Sequence, residues 1–128
     1  MRNYPLIFEA GLLMVYARIT GPKGSRLSRL ALDTGATTTM VPPKAALAIG
    51  VNPARSTTFR DTLTASGKEL TPIVVIPSFH VFEHTFRHLA VACHELPAES
   101  PIDGLLGLDV LTQLQAILNL GKREIVIP

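Results

Sequence analysis

The chain has 128 residues, of which 47% are hydrophobic and 17% charged. That is enough apolar material for one packed domain over residues 1–128, and too apolar a composition for a disordered chain. Twelve basic residues against ten acidic ones leave a net charge of +2, which is too small and too dispersed to point to nucleic acid.

The first strong element is residues 12–20, apolar and β-prone. The run Gly11-Leu12-Leu13-Met14-Val15 also has the look of a signal-peptide core. It is short, follows Glu9 and lacks a clean cleavage site, so a strand is expected. A turn at Gly21-Pro22-Lys23-Gly24 leads to a second strand over 26–32, whose end delivers Asp33. Residues 37–41 are β-branched and predicted extended, stopped by Pro42-Pro43. A short helix is expected over 44–49, with Pro43 near its start and Gly50 at its end.

Further along, 56–59 and 70–76 read as strand arms around a polar, flexible piece at 60–68. A hairpin is expected from 78–82 and 85–93, then a loop over 97–101. Asp109 is placed to cap a second helix over 110–115. A closing hairpin takes in 116–120 and 123–127 around Gly121-Lys122. Many short strands with two short helices predict an all-β domain, a barrel or a sandwich.

Asp33 raises the functional question. An isolated Asp-Thr-Gly is often only a turn whose carboxylate bonds its own backbone. Here the acid follows the apolar Leu30-Ala31-Leu32 and precedes another apolar stretch, so the turn is expected to be buried. A similar apolar-glycine element recurs late, at Ile102-Asp103-Gly104-Leu105-Leu106-Gly107-Leu108.

Taken together, these segments resemble the retropepsin-like aspartic proteases, the single-domain group of retroviral proteases and their bacterial relatives. "LALDTGATTTMVP" resembles the catalytic loop, "DTLTASGKELTP" the flap hairpin, and "IDGLLGLDVLTQL" the late motif that packs beside the catalytic loop. The resemblance runs over residues 12–127. It implies an acid-protease barrel with a flap hairpin and one or two short helices. It implies hydrolysis of a peptide or protein substrate by a water held between two carboxyl groups, with no cofactor and no metal. Only one Asp-Thr-Gly is present, so it also implies a homodimer with one Asp33 from each subunit, and an inert monomer.

By the same resemblance, Asp33, Thr34 and Gly35 are the catalytic set. Thr34 would bond across the dimer axis, and Gly35 would leave room for substrate. Ala36 and Thr37, with Leu63, Thr64, Ala65, Ser66 and Gly67 of the flap, would contact the peptide. Ala36 stands where two-lobed relatives carry Ser or Thr, which implies a milder acid optimum than theirs. Two departures stand out. Thr37 and Thr38 replace the acidic residues usual in retroviral enzymes. Gly107 is followed by Leu108 and Asp109 rather than by Arg and then Asn or Asp, so the viral ion pair there cannot form. In the viral dimer the chain ends interleave into one sheet; here residues 125–127 are β-prone enough for that, or for pairing within their own subunit.

Other constellations carry less. His80, His84 and His88 are spaced by four, as metal ligands on a helix would be, but their surroundings read as a hairpin. Cys93 is the sole cysteine and sits in an apolar run, which fits a small buried hydrophobe and a reducing, cytoplasmic setting. No stretch reaches membrane-spanning length, and neither a Gly-x-Ser-x-Gly elbow nor a phosphate loop occurs. The alternatives to an active endopeptidase are a non-catalytic peptide-binding or dimerisation module with the same fold, and a β-barrel ligand or metal binder using the histidines.

Overall fold

The computed structural model describes residues 1–64 and 67–128. Its strands are β1 (Arg2–Pro5), β2 (Ile7–Glu9), β3 (Leu12–Gly21), β4 (Gly24–Leu32), β5 (Met40–Val41), β6 (Thr58–Thr64), β7 (Gly67–Val81), β8 (His84–Cys93), β9 (Gly104–Leu106), β10 (Ile117–Asn119) and β11 (Glu124–Ile127). Two short helices interrupt them, α1 (Pro43–Ala48) and α2 (Leu108–Gln113). The all-β expectation holds, with the helices within two residues of their predicted places.

The larger sheet runs β2-β3-β4-β9-β5-β8-β7-β6, and β7 also pairs with β3, so six of its strands close on themselves. The sequence of β7 shows how. Its buried residues shift phase, from Val74 and Ile76 to Phe79 and Val81. Between them lies Pro77, which cannot donate to a ladder and so marks a break in regular pairing. The register sets it opposite His88, whose φ is +53°. Below this break β7 pairs only with β6 and β8. Above it, Ser78, Phe79 and His80 turn onto Thr20, Ile19 and Arg18 of β3.

The inward faces of β3, β4, β7, β8 and β9 supply Ala17, Ile19, Leu30, Phe79, Val91 and Leu106 to one hydrophobic cluster, which also takes in Leu6 and Ile127 from the two ends of the chain. α1 adds Ala45 and Ala46. Cys93 belongs to this cluster, and burial pushes its thiol up to about 11. A neutral, packed sulfur is the physical consequence.

Two expectations need correction. Residues 37–41 are not a full strand; only Met40–Val41 pairs, because Thr39 is spent on a side-chain network described below. The 60–68 segment is mostly strand, since β6 continues to Thr64 and β7 begins at Gly67. Seven cross-strand pairs, from Thr58↔Ile73 to Thr64↔Gly67, hold it, which polar composition alone does not reveal.

The chain ends form a separate sheet, β1-β11-β10. Arg2 to Pro5 pairs with Ile127 to Glu124 of the same chain. Glu83, in the β7–β8 turn, anchors β1 by accepting from Arg2 Nη1 and from Tyr4 Oη, each at 2.9 Å. Tyr4 also packs on Phe82, ring centroids 5.3 Å apart. Both edges of β11 are therefore occupied within the subunit.

Phe79 is fully buried where β7 crosses β3. Phe79→Ala is expected to cost about 3–5 kcal/mol through lost burial and the cavity left behind, read as a lower urea midpoint at unchanged slope.

Candidate active site

Asp33 sits one residue beyond β4. Parallel pairing of Leu30, Ala31 and Leu32 with Gly104, Leu105 and Leu106 fixes the height of that strand end. The Asp33 amide donates to the Leu106 carbonyl at 2.9 Å, so the loop leaves the sheet at a defined point. The carboxylate is then held by its own loop: Oδ1 accepts from the Gly35 amide at 2.9 Å. The loop closes with Ala36 N–H to Asp33 C=O at 3.1 Å.

The loop was expected to be buried. Within this chain Asp33 is half-buried, while Thr34 and Gly35 are exposed. Ala31 is the last core residue of β4, and the chain leaves the sheet after Leu32.

The late apolar-glycine motif grips the loop from the other side. Leu108 N–H donates to Ala36 C=O at 2.8 Å. A side chain on Gly107 would bring its Cβ to 2.8 Å from backbone atoms of both Ala36 and Thr38, so only glycine permits this approach. A β-carbon on Gly104 would collide with the Met40 carbonyl oxygen. The two glycines let the chain segments pack backbone to backbone.

Asp109 is not the N-cap of α2. The helix begins at Leu108 with Gly107 at its N-cap, two residues earlier than expected. From the second helical position the Asp109 carboxylate accepts from the first-turn amide of Val110 at 2.9 Å, and it also accepts from the Thr39 amide at 3.0 Å and from the Thr39 hydroxyl at 2.8 Å. That hydroxyl in turn accepts from the Gly107 amide at 3.1 Å. Thr39 is completely buried, so it uses a hydroxyl as donor and acceptor in a place where neither role can pass to water. Asp103 makes a second clamp. Its Oδ2 accepts from the Arg29 amide at 2.9 Å while its own amide donates to Arg29 C=O at 2.7 Å.

Two concavities flank the loop. One, of about 420 Å³, is an apolar groove in which Thr34 meets Leu32, Leu108, Leu111, Leu118 and Ile125. The other, of about 410 Å³, is a cleft that starts at Gly35, Ala36 and Thr37 and runs under the β6–β7 hairpin. From the hairpin it is lined by Arg60, Asp61 and Thr71, and from β8 and beyond by Ala92 and His94. Arg60 Nη1 donates to the Thr38 hydroxyl, tying the hairpin to the loop's downstream arm. His94 Nε2 lies 3.2 Å from Glu69 Oε2 on β7.

The sequence profile of the aspartyl proteases matches residues 15–110, three quarters of the chain, taking in the loop, the hairpin and the late motif as far as Val110. The chain belongs to the aspartyl protease family. Among curated proteins no sequence matches. Solved structures share the fold at low identity. A retropepsin-like aspartic protease from Rickettsia conorii superposes with a TM-score of 0.73 at 16% identity, covering 98% of this chain and 89% of that one. The EIAV protease bound to the inhibitor HBY-793 gives 0.65 at 17%, covering 85% and 93%. The retroviral protease-like domain of Ddi1 from Leishmania major gives 0.59 at 18%, covering 91% and 87%. These likenesses establish a retropepsin-like fold.

On this family fold the residues singled out by sequence fall as follows. Asp33, Thr34 and Gly35 share one loop, with Thr34 on the apolar groove and Gly35 on the cleft. Ala36 and Thr37 line the cleft. Leu63 and Thr64 end β6 and Gly67 opens β7, paired with Thr64; Ala65 and Ser66 lie outside the described residues. Thr39, Asp103 and Arg60 are not singled out by sequence, and Asp109 is singled out only as a helix cap. For Arg60 a signal existed, the strand alternation of residues 58–64; for the other three the partner is too distant in the chain. His80 engages Thr85 and His84 the Phe82 carbonyl. Among the described residues no three His, Cys, Asp or Glu side chains gather as a metal site would require, and no helix is long and apolar enough to cross a membrane.

Two outcomes test this geometry. Thr39→Val strands the Gly107 amide and part of the Asp109 carboxylate, and is expected to lower stability by about 1–3 kcal/mol in urea denaturation. His94 is expected to titrate above the ordinary 6.5, first because its ring bonds the Glu95 carbonyl and then because Glu69 stands beside it. The raised value means the folded state holds that proton more tightly. The stabilisation is thus full below 6.5 and lost as pH rises through the folded value. With both side chains more than a third exposed, it amounts to a few tenths of a kcal/mol. An NMR titration of the imidazole checks the midpoint, and Glu69→Gln should lower it only in part.

Proposed function

We propose that this chain, acting as a single domain over residues 1–128, is one subunit of a homodimeric aspartic endopeptidase in which Asp33 of each copy holds the attacking water. The observation that carries this reading is the Asp33 loop itself. It presents a carboxylate oriented by the Gly35 amide at a half-exposed site between a cleft and an apolar groove. A lone carboxylate of this kind lacks an acid partner. The described residues of this loop offer no second carboxylate, and Asp61, which borders the cleft, stands on the β6–β7 hairpin. A second copy related by a two-fold axis supplies one without any further element.

The chemistry follows from two carboxyl groups at short range. Like charges so close do not both ionise, and the pair holds one proton between them. The ionised carboxylate takes a proton from water as its oxygen attacks the peptide carbonyl carbon. The protonated one donates to the carbonyl oxygen, where negative charge would otherwise build. The tetrahedral intermediate collapses as the amide nitrogen receives a proton from the pair and the C–N bond breaks. Thr34, at the edge of the apolar groove, is positioned to meet the second copy, with Leu32, Leu118 and Leu111 burying apolar surface beside it. Gly35 leaves the approach to the carboxylate open, and Ala36 and Thr37 form the near wall for the peptide. The β6–β7 hairpin serves as the flap, with Leu63, Thr64 and Gly67 toward its closing end. The lone buried Cys93 suits a cytoplasmic setting.

The test pairs wild type with Asp33→Asn on an unstructured polypeptide in mildly acidic to neutral buffer, at concentrations where sedimentation shows a dimer. Asp33→Asn is expected to lower cleavage by at least about 10³-fold, since the carboxyl acts as both base and acid, with circular dichroism unchanged. Equal cleavage by both proteins sinks the proposal. Specific activity of the wild type should rise with enzyme concentration through the range where dimer forms; a constant value across that range places the whole site in one subunit. A confirmed dimer that binds the polypeptide without cutting it points to a peptide-binding module on the same fold.

A further inference from the structure

The cleft under the β6–β7 hairpin has a chemical asymmetry. Its floor is apolar, made by Ala36, Met40, Ala92 and Leu105. Its rim is polar, and the charges there have a direction. Neighbours on a strand face opposite sides of a sheet. The register pairs Arg60 with Thr71 and Asp61 with Leu70. Thr71 is buried on the cleft wall, whereas Leu70 is 70% exposed. Arg60 therefore shares the face of Thr71 that looks into the cleft; Asp61 borders the same cleft, with strand alternation putting it on the opposite face from Arg60.

The other carboxylates nearby are committed elsewhere. Glu69 pairs with His94, and Asp109 is held by Thr39. Among the described residues no carboxylate forms an ion pair with Arg60. Its guanidinium is instead pinned by the Thr38 hydroxyl, a neutral partner that orients the group without neutralising it. Thr37 and Thr38 add no charge. His94 stands on the same cleft and carries a proton more readily than an isolated imidazole, because of the Glu95 carbonyl and Glu69.

We propose that Arg60 makes this part of the cleft a recognition site for an acidic side chain of the substrate, so that the preferred peptides carry Glu or Asp near the bond that is cut. This rests on the reading that the cleft beside Asp33 receives the peptide. A glutamate fits the site in both of its parts. Its methylenes lie on Met40 and Leu105, and its carboxylate meets a planar fork of N–H donors already oriented by Thr38. A lysine at the same place sets like charge against Arg60.

The experiment uses the dimeric protein and a set of peptides identical except at one position, which carries Glu, Gln or Lys and is moved stepwise along both sides of the cut. At one position or more, wild type is expected to favour Glu over Lys by about 10-fold or more in kcat/KM, the factor one charge-assisted contact supplies. Arg60→Gln should level that preference and Arg60→Glu should reverse it toward Lys. Arg60 is exposed on a strand, so both variants should fold, and circular dichroism checks that they do. No preference in wild type, or a Glu preference that survives Arg60→Glu, overturns the inference while leaving the protease reading intact. If no peptide is cut, the protease reading fails. The same peptides, fluorescently labelled, are then titrated onto Asp33→Asn and onto Asp33→Asn with Arg60→Glu. Tighter binding of Glu peptides that reverses with Arg60→Glu upholds the recognition site, and equal binding of Glu and Lys peptides removes it.

Discussion

Asp33 stands where it does because β4 and β9 lie side by side in parallel. Parallel neighbours cannot be joined by a tight turn, so everything between them, from α1 through the β7–β8 hairpin, is crossover connection. Cohesion at this junction comes from backbone contact rather than from large side chains. Gly104 and Gly107 allow carbonyls of Met40, Ala36 and Thr38 to approach where any β-carbon would intrude. The buried Thr39 hydroxyl then joins Gly107 and Asp109 into one network. Each polar group in it is satisfied by another, which is the condition under which a buried network rigidifies rather than destabilises.

The rest of the site inherits its position from that junction. The loop after β4 turns outward, so its carboxylate is presented at the surface of the subunit instead of being enclosed by it. Cleft and groove lie on opposite flanks of the same few residues, Gly35 on one and Thr34 on the other. The break at Pro77 lets one long strand serve two purposes. Its lower half is an arm of the hairpin over the cleft, and its upper half closes the sheet on β3. A rigid closure next to an arm that reaches over the cleft is how a small β domain can hold a site and still admit a peptide.

The chain ends add a second constraint. β11 pairs with β1 on one side and β10 on the other, and Glu83 fastens β1 to the body through Arg2 and Tyr4. With both edges of β11 used inside the subunit, strand exchange of the retroviral kind would first have to undo these bonds. In the dimer proposed above, contact between copies would therefore fall to the apolar groove beside Thr34, a surface continuous with the Asp33 loop.

Sequence alone determined the all-β class, the strands of 12–20 and 26–32 and the two helices, and it singled out Asp33-Thr34-Gly35 as the candidate site. Those are local signals: alternation, Pro-Gly turns, and a short motif whose residues are neighbours in the chain. It also marked Gly107, but not why. Tertiary structure decided the parallel pairing, the exposure of the loop and the use of Asp109 as Thr39's partner. The local sequence accounts for the bond from Asp109 to the Val110 amide in the first turn of α2; the bonds to Thr39, 70 positions away, come from the fold. Arg60 shows the same limit. Strand alternation puts it and Asp61 on opposite faces, but only the pairing with a buried Thr71 says which of the two shares the face that looks into the cleft.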